Sequence, residues 1–203
     1  MILLCSNGLT SEAITEELQK HLSQCARAAI VVTADDQYKE KNYHVPSCTD
    51  ALLRMGLSVE IVDIDKTDAK GLLDYDVVEF IGGNPFYLMK SIREHKAEAI
   101  MKTLAEQKML IGWSAAAFVF GPSLELVNEY SPELNFAAIS DLSGLSLTQV
   151  EVLPHYSRFL HRFDQFEERC SRYEKRKGIN VLRLNDGDGI FVFSDHCLVI
   201  RAQ

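Results

Sequence analysis

Hydrophobic positions along this chain switch between two spacings. Ile2-Leu3-Leu4-Cys5 is a short unbroken apolar run, and from Ser11 to about Gln24 the residues Ile14, Leu18 and Leu22 recur every four positions, so the chain opens as strand then helix. The order repeats with a strand at Ala29-Ile30-Val31-Val32, a helix from about Lys41 to Met55, and a strand from Val59 to Ile64 entered through Gly56. Val77 to Ile81 follows as a strand. Gly82-Gly83-Asn84-Pro85 then opens a helix to about His95, with Pro85 suited to the first turn. A helix from about Ala97 to Gln107 precedes the strand Met109 to Trp113.

Parallel strands need long crossovers, and helices usually supply them. Apolar strands interleaved with helices therefore predict an α/β fold with a mainly parallel sheet flanked by helices on both faces. After about Leu124 the rhythm changes. Val150 to Leu153 reads as a strand, about Arg162 to Lys177 as a helix, and Ile179 to Leu184, Ile190 to Phe193 and Cys197 to Arg201 as three strands joined by tight turns. Asp186-Gly187-Asp188-Gly189 and Ser194-Asp195-His196 are the turn signals, and an antiparallel C-terminal edge is expected. With no internal repeat or Pro/Gly-rich linker, residues 1–203 read as a single domain.

Composition narrows the function classes. The 47% apolar and 25% charged residues match an ordinary globular protein, and no apolar run approaches the roughly 18 residues of a membrane span. The N-terminal apolar run is too short for a secretion signal. Five scattered cysteines, Cys5, Cys25, Cys48, Cys170 and Cys197, contain no CxxC pair, which argues against a disulfide framework and a zinc site and for a reducing, cytoplasmic location. The formal charge of −8, from 21 basic and 29 acidic residues, disfavours nucleic-acid partners. The basic stretch Arg172 to Lys177 reads as the solvated end of a helix.

Gly112-Trp113-Ser114-Ala115-Ala116 follows an apolar strand and leads into an apolar run, the arrangement of a nucleophile elbow. A side chain lifted above a sheet on a sharp turn needs small neighbours two positions away, and Gly112 and Ala116 are small. The N–H of Ala115 would then stand at a helix start, where unpaired donors favour a developing oxyanion. The same five residues also suit a serine that caps a helix, so other features have to decide. Gly82-Gly83 is one: glycine lets a backbone approach a ligand closely, and an N–H of Gly83 could face the same oxyanion. No phosphate-loop pattern is present. Of the six histidines, His21 and His95 fall on charged helices, His44 in a polar stretch and His196 in a hairpin turn. His155 stands just past a strand end, where ligands of open α/β sheets sit, and His161 is its nearest competitor.

With these segments in order, Gly82-Gly83-Asn84-Pro85-Phe86-Tyr87-Leu88, Ile111 to Ala117, Leu153-Pro154-His155-Tyr156 and Leu184-Asn185-Asp186-Gly187, the chain resembles the peptidase E family of serine peptidases, which includes cyanophycinase-like enzymes. The resemblance implies a flavodoxin-like, class I glutamine amidotransferase-like fold and hydrolysis of a small peptide substrate without a cofactor. It implies a catalytic pair of Ser114 and His155, with an oxyanion hole from Gly83 and Ala115. Asp186 is the favoured third member; Glu129 and Asp141 are alternative acids, and Glu151 stays open. Ala116 replaces the family's usual second glycine. Phe166 falls where members that prefer N-terminal aspartate carry an arginine, with Arg158, Arg162 and Arg169 nearby. A non-catalytic or degenerate α/β protein that binds a small molecule is the rival reading.

Overall fold

The computed structural model describes residues 1–23 and 26–202, so Cys25 and the expected helix end at Gln24 lie outside the described residues. The main sheet has seven strands: β1 (Ile2–Cys5), β2 (Arg27–Val31), β3 (Ser58–Val62), β4 (Val77–Phe80), β5 (Met109–Trp113), β8 (Gly189–Val192) and β9 (Cys197–Ile200). They stand in the order β3-β2-β4-β5-β1-β8-β9. The first five are parallel, and β8 and β9 add an antiparallel edge beside β1. Two further strands, β6 (Glu151–Leu153) and β7 (Val181–Arg183), form a separate parallel pair.

Alternation along the strands sorts side chains to two cores. Leu3, Cys5, Ile30 and Ile111 face Ile14 and Leu18 of α1 (Glu12–Gln19) and Cys48 and Leu52 of α2 (Val45–Arg54). Leu4, Val31, Val78, Phe80 and Leu110 face the opposite side, against Phe86, Met89 and Ile92 of α3 (Pro85–Glu94), Met101 and Leu104 of α4 (Glu98–Gln107) and Val119 and Phe120 of α5 (Ala115–Phe120). The remaining helices are α6 (Glu125–Tyr130), α7 (Tyr156–Arg162) and α8 (Phe166–Lys177).

Two expectations are corrected, and two short helices are added to them. The second helix starts at Val45 rather than Lys41, because Pro46 lacks the N–H that an earlier start would need, and Asn42 Oδ1 instead accepts the His44 N–H at 2.8 Å. Val181–Arg183 does not join the antiparallel edge: it follows β6 through two helices, a crossover that makes the pair parallel, with Glu151 opposite Val181. The helices α6 and α7 are six and seven residues long, too short to show a helical repeat. The basic end of α8 does reach solvent, and Arg176 and Lys177 there pair with Glu129 and Glu125 of α6.

One strand position breaks the apolar pattern. Glu79 lies on β4 between Val78 and Phe80 and is completely buried. Its Oε1 accepts the Trp113 indole N–H at 3.0 Å, and among the described residues its Oε2 has no partner. Burial pushes the carboxyl up to about 7, against the pull of the Trp113 hydrogen bond. Its charge in turn adds to the burial that holds the Cys5 and Cys48 thiols protonated. A carboxyl whose folded pKa is raised stabilises the fold fully below its unfolded value of 4.5, and that contribution is lost as pH rises through 7. Glu79→Gln keeps the bond to Trp113 without a titrating group. Urea unfolding at several pH values should show the wild type losing on the order of 3 kcal/mol between pH 4.5 and 8 relative to the variant; parallel pH dependences would contradict this.

Candidate active site

Three adjacent parallel strands, β4, β5 and β1, end at one edge of the sheet, with Phe80 opposite Gly112 and Trp113 opposite Cys5. The residues that follow them meet there. Ser114 follows β5 with φ 52 and ψ −111, a conformation that costs a non-glycine residue about 1–3 kcal/mol and occurs where the fold imposes it. Its side chain makes no capping bond to α5, so the helix-cap reading of this serine does not hold. Small size at Gly112 has a visible cause, since a Cβ there would fall 2.5 Å from the Phe120 ring. Ala116 is completely buried in the tolerated second position.

The chain leaving β4 passes directly beside the serine. A Cβ on Gly82 would stand 2.5 Å from the Trp113 ring and 3.1 Å from Ser114 Cβ, and one on Gly83 would stand 2.2 Å from the Ala34 carbonyl oxygen. Glycine is required at both, and it sets the Gly82-Gly83 backbone against the Ser114 turn. Asn84 fixes the exit: its N–H donates to Ala34 O at 2.8 Å, and its side chain caps α3 through Phe86 and Tyr87. The first N–H groups of α5, starting with Ala115, have no carbonyl one turn earlier within the helix.

The small sheet supplies the other two groups. Its pairing continues past the strands, with Leu184 N–H donating to Leu153 O at 3.0 Å and Tyr156 N–H to Leu184 O at 3.1 Å. This holds His155 beside the turn at Asp186. His155 Nδ1–H donates to Asp186 Oδ1 at 2.6 Å; the carboxylate only accepts, so Nε2 is left as the acceptor facing Ser114 Oγ at 3.0 Å. Arg158 donates to Asp186 Oδ2 at 3.2 Å. Ser6, completely buried, donates its hydroxyl to Asp186 Oδ1 at 2.9 Å and accepts the His155 N–H at 2.8 Å.

Electrostatics follow from this packing. Burial lowers the His155 pKa below 6.5, outweighing the opposing pull of Asp186, so the imidazole is neutral near pH 7. Asp186 is partly desolvated, which raises its pKa, but the hydrogen bonds from His155 and Ser6 outweigh that and keep it below its ordinary value. A neutral base lies between a hydroxyl and a fixed carboxylate. That arrangement can deprotonate the hydroxyl and stabilise the imidazolium that results.

Of the residues singled out from sequence, Ser114, His155, Asp186, Gly83 and Ala115 meet at this edge. The alternative acids do not join them: Glu129 pairs with Arg176, Asp141 with Arg93 at 2.8 Å, and Glu151 accepts the Tyr173 hydroxyl at 2.8 Å. Phe166 is buried against Tyr130, Phe159 and Phe163. Two neighbours were not anticipated. The His44 ring stands edge-on to Trp113 with centroids 5.0 Å apart, and Ser6 sits at the centre of the hydrogen bonds; a lone serine ending an apolar strand was the only signal for it. Among the described residues no group of three or more His, Cys, Asp or Glu side chains is placed to hold a metal ion, and no helix is long and apolar enough to cross a membrane.

Comparison with known proteins adds a lineage. An uncharacterized peptidase of Pasteurella multocida is 28% identical over 127 residues, 60% of this chain and 61% of its own length. The chain thus spans about three fifths of the length of this and other bacterial relatives that it matches. A Drosophila melanogaster protein named probable alpha-aspartyl dipeptidase is 23% identical over 98% of this chain and 85% of its own. A crystal structure from Listeria monocytogenes superposes with a TM-score of 0.76 at 21% identity, covering 100% of this chain and 98% of that one, and so shares the fold. The model of peptidase family S51 matches residues 2–200, and the chain therefore belongs to that family.

Proposed function

We propose that this chain is a serine peptidase that hydrolyses short peptides, of the exopeptidase or dipeptidase type, through an acyl-enzyme. The observation that carries the reading is the unbroken line of hydrogen bonds from Ser114 through His155 to Asp186, at 3.0 and 2.6 Å. Ser114 Oγ attacks the peptide carbonyl carbon while His155 Nε2 takes its proton. Asp186 stays ionised and steadies the imidazolium. Negative charge gathers on the carbonyl oxygen, which the N–H groups of Gly83 and Ala115 would receive; one such donor is worth about 3–4 kcal/mol. Breaking the C–N bond releases an amine that takes the proton from His155. Water, deprotonated by the same nitrogen, then attacks the ester and frees Ser114.

Family membership supports a peptide bond as the target, and the dipeptidase named among the relatives supports a short one. A preference for N-terminal aspartate is not part of the proposal. Phe166, in the place of the arginine associated with that preference, is 2% exposed and packed among aromatic rings.

Ser114→Ala should reduce hydrolysis of a dipeptide library by about four orders of magnitude or more. Its melting temperature should stay close to that of the wild type, because the hydroxyl does not cap α5; retained turnover would remove the assignment. Asp186→Asn should lower kcat by roughly 10³–10⁴, since an amide that donates toward Nδ1 turns the imidazole to the wrong tautomer. With burial depressing the His155 pKa, kcat/KM should rise with pH through a midpoint below 6.5. A midpoint well above 7 in a pH–rate profile would mean that a different base is at work.

A further inference from the structure

Ser6 follows β1, the strand between the one that delivers the nucleophile and the one that leaves the acid turn. Its backbone is tied to both sides. The preceding carbonyl, Cys5 O, accepts the Ser114 N–H at 3.2 Å, and the Ser6 N–H donates to Asp188 O at 3.1 Å. Its side chain reaches the remaining segment. A hydroxyl has one proton, and here the directions are unambiguous: the carboxylate of Asp186 can only accept and the N–H of His155 can only donate, at 2.9 and 2.8 Å. The Cys5–Ser6 peptide unit and the Ser6 hydroxyl together therefore touch the segments that carry Ser114, His155 and Asp186.

We infer that Ser6 is a positioning residue for the reaction: its hydroxyl clamps the main chain of His155 to the carboxylate of Asp186 and so aims Nε2 at Ser114. The inference rests on the proposed Ser114–His155–Asp186 reading. His155 sits at φ 57 and ψ 28, a left-handed conformation that histidine tolerates without preferring it, and the bond from its N–H to the Ser6 hydroxyl holds it there. The clamp also acts on basicity. Asp186 Oδ1 takes two donors, the Ser6 hydroxyl and the His155 Nδ1–H, so the hydroxyl draws off charge that would otherwise favour the imidazolium. The other groups facing the ring are Arg158, which pairs with Asp186 Oδ2, the His44 imidazole, the Phe159 ring 5.5 Å away and Ser114 itself.

Two roles predict different outcomes for small substitutions. If Ser6 only fills space, Ser6→Ala and Ser6→Thr should be judged by volume. If its hydroxyl positions the site, Ala removes both bonds and Thr keeps them.

The test measures hydrolysis of the best dipeptide of the library across pH for wild type, Ser6→Ala, Ser6→Thr and Ser114→Ala. The last variant checks the parent reading alone, since full activity in it would sink that reading whatever Ser6 does. With Ser114→Ala inactive, Ser6→Ala should lower kcat about 10- to 100-fold with KM within about twofold, the loss typical of a misaimed reacting group. The acid limb of its kcat/KM profile should move up by about half a pH unit as Asp186 regains charge toward His155. Ser6→Thr should recover most of kcat and the wild-type limb. Should Ser6→Ala fail to fold, Ser6→Cys, with a weakly bonding thiol in the same space, carries the same expectation in smaller measure. Wild-type kcat and an unmoved acid limb in the Ala or Cys variant, or equal damage from Ala and Thr, overturns the inference.

Discussion

The hydrogen bond from His155 Nδ1 to Asp186 Oδ1, 2.6 Å long, decides what the other side chains of the site can do. An imidazole carries one N–H when neutral, and the carboxylate claims it, so the lone pair on Nε2 is left pointing at Ser114. Reverse that tautomer and the serine faces a donor that cannot take its proton. Much of the chain beyond residue 150 acts to hold this contact. The parallel pairing of β6 with β7, extended by the bonds between Leu153, Leu184 and Tyr156, brings a histidine and an acidic turn that are 31 residues apart into register.

The sheet solves a second problem, that of holding a serine in a conformation it would not choose. Ser114 at φ 52 is imposed from both sides: β5 is paired with β4 and β1, and the Gly82 backbone lies against both the turn and the Trp113 ring. Trp113 is itself tied down by Glu79, a carboxyl placed where an apolar residue would pack more cheaply. Local strain at Ser114 and a buried acid are thus joined through Trp113. Both are tolerated because the two apolar cores around them are extensive, and both lower stability in the region where order matters most.

How far the chain could be read in advance depended on how local the determining physics was. Strand and helix periodicity over β1 to β5 is local, and so is the demand for small residues around Ser114 and at Gly82-Gly83. Those elements were legible. The position of His155 past a strand end and the acidic turn at Asp186 became meaningful through their order along the chain. What escaped depended on distant partners. Nothing near Val181 shows that it pairs with β6 instead of the antiparallel edge; that follows from the crossover. Short helices such as α6 and α7 carry too few repeats to register. Glu129 and Asp141 were reasonable acids by position, and the fold sets them elsewhere, on Arg176 and Arg93, while the His155 Nδ1–H goes to Asp186. Ser6 and Glu79 looked unremarkable because a buried polar residue reveals its purpose only through what it bonds.

Reactivity of Ser114 itself is the most direct test of the central claim, that a hydroxyl, an imidazole and a carboxylate from three separate segments act as one unit. Treating the native protein with a fluorophosphonate and mapping the adduct by peptide mass spectrometry reads that reactivity without any assumption about substrate. The account predicts a single adduct on Ser114 that is absent after denaturation and after His155→Ala. A native protein that takes up no probe, or labelling of Ser114 that is as fast without the imidazole as with it, would contradict it.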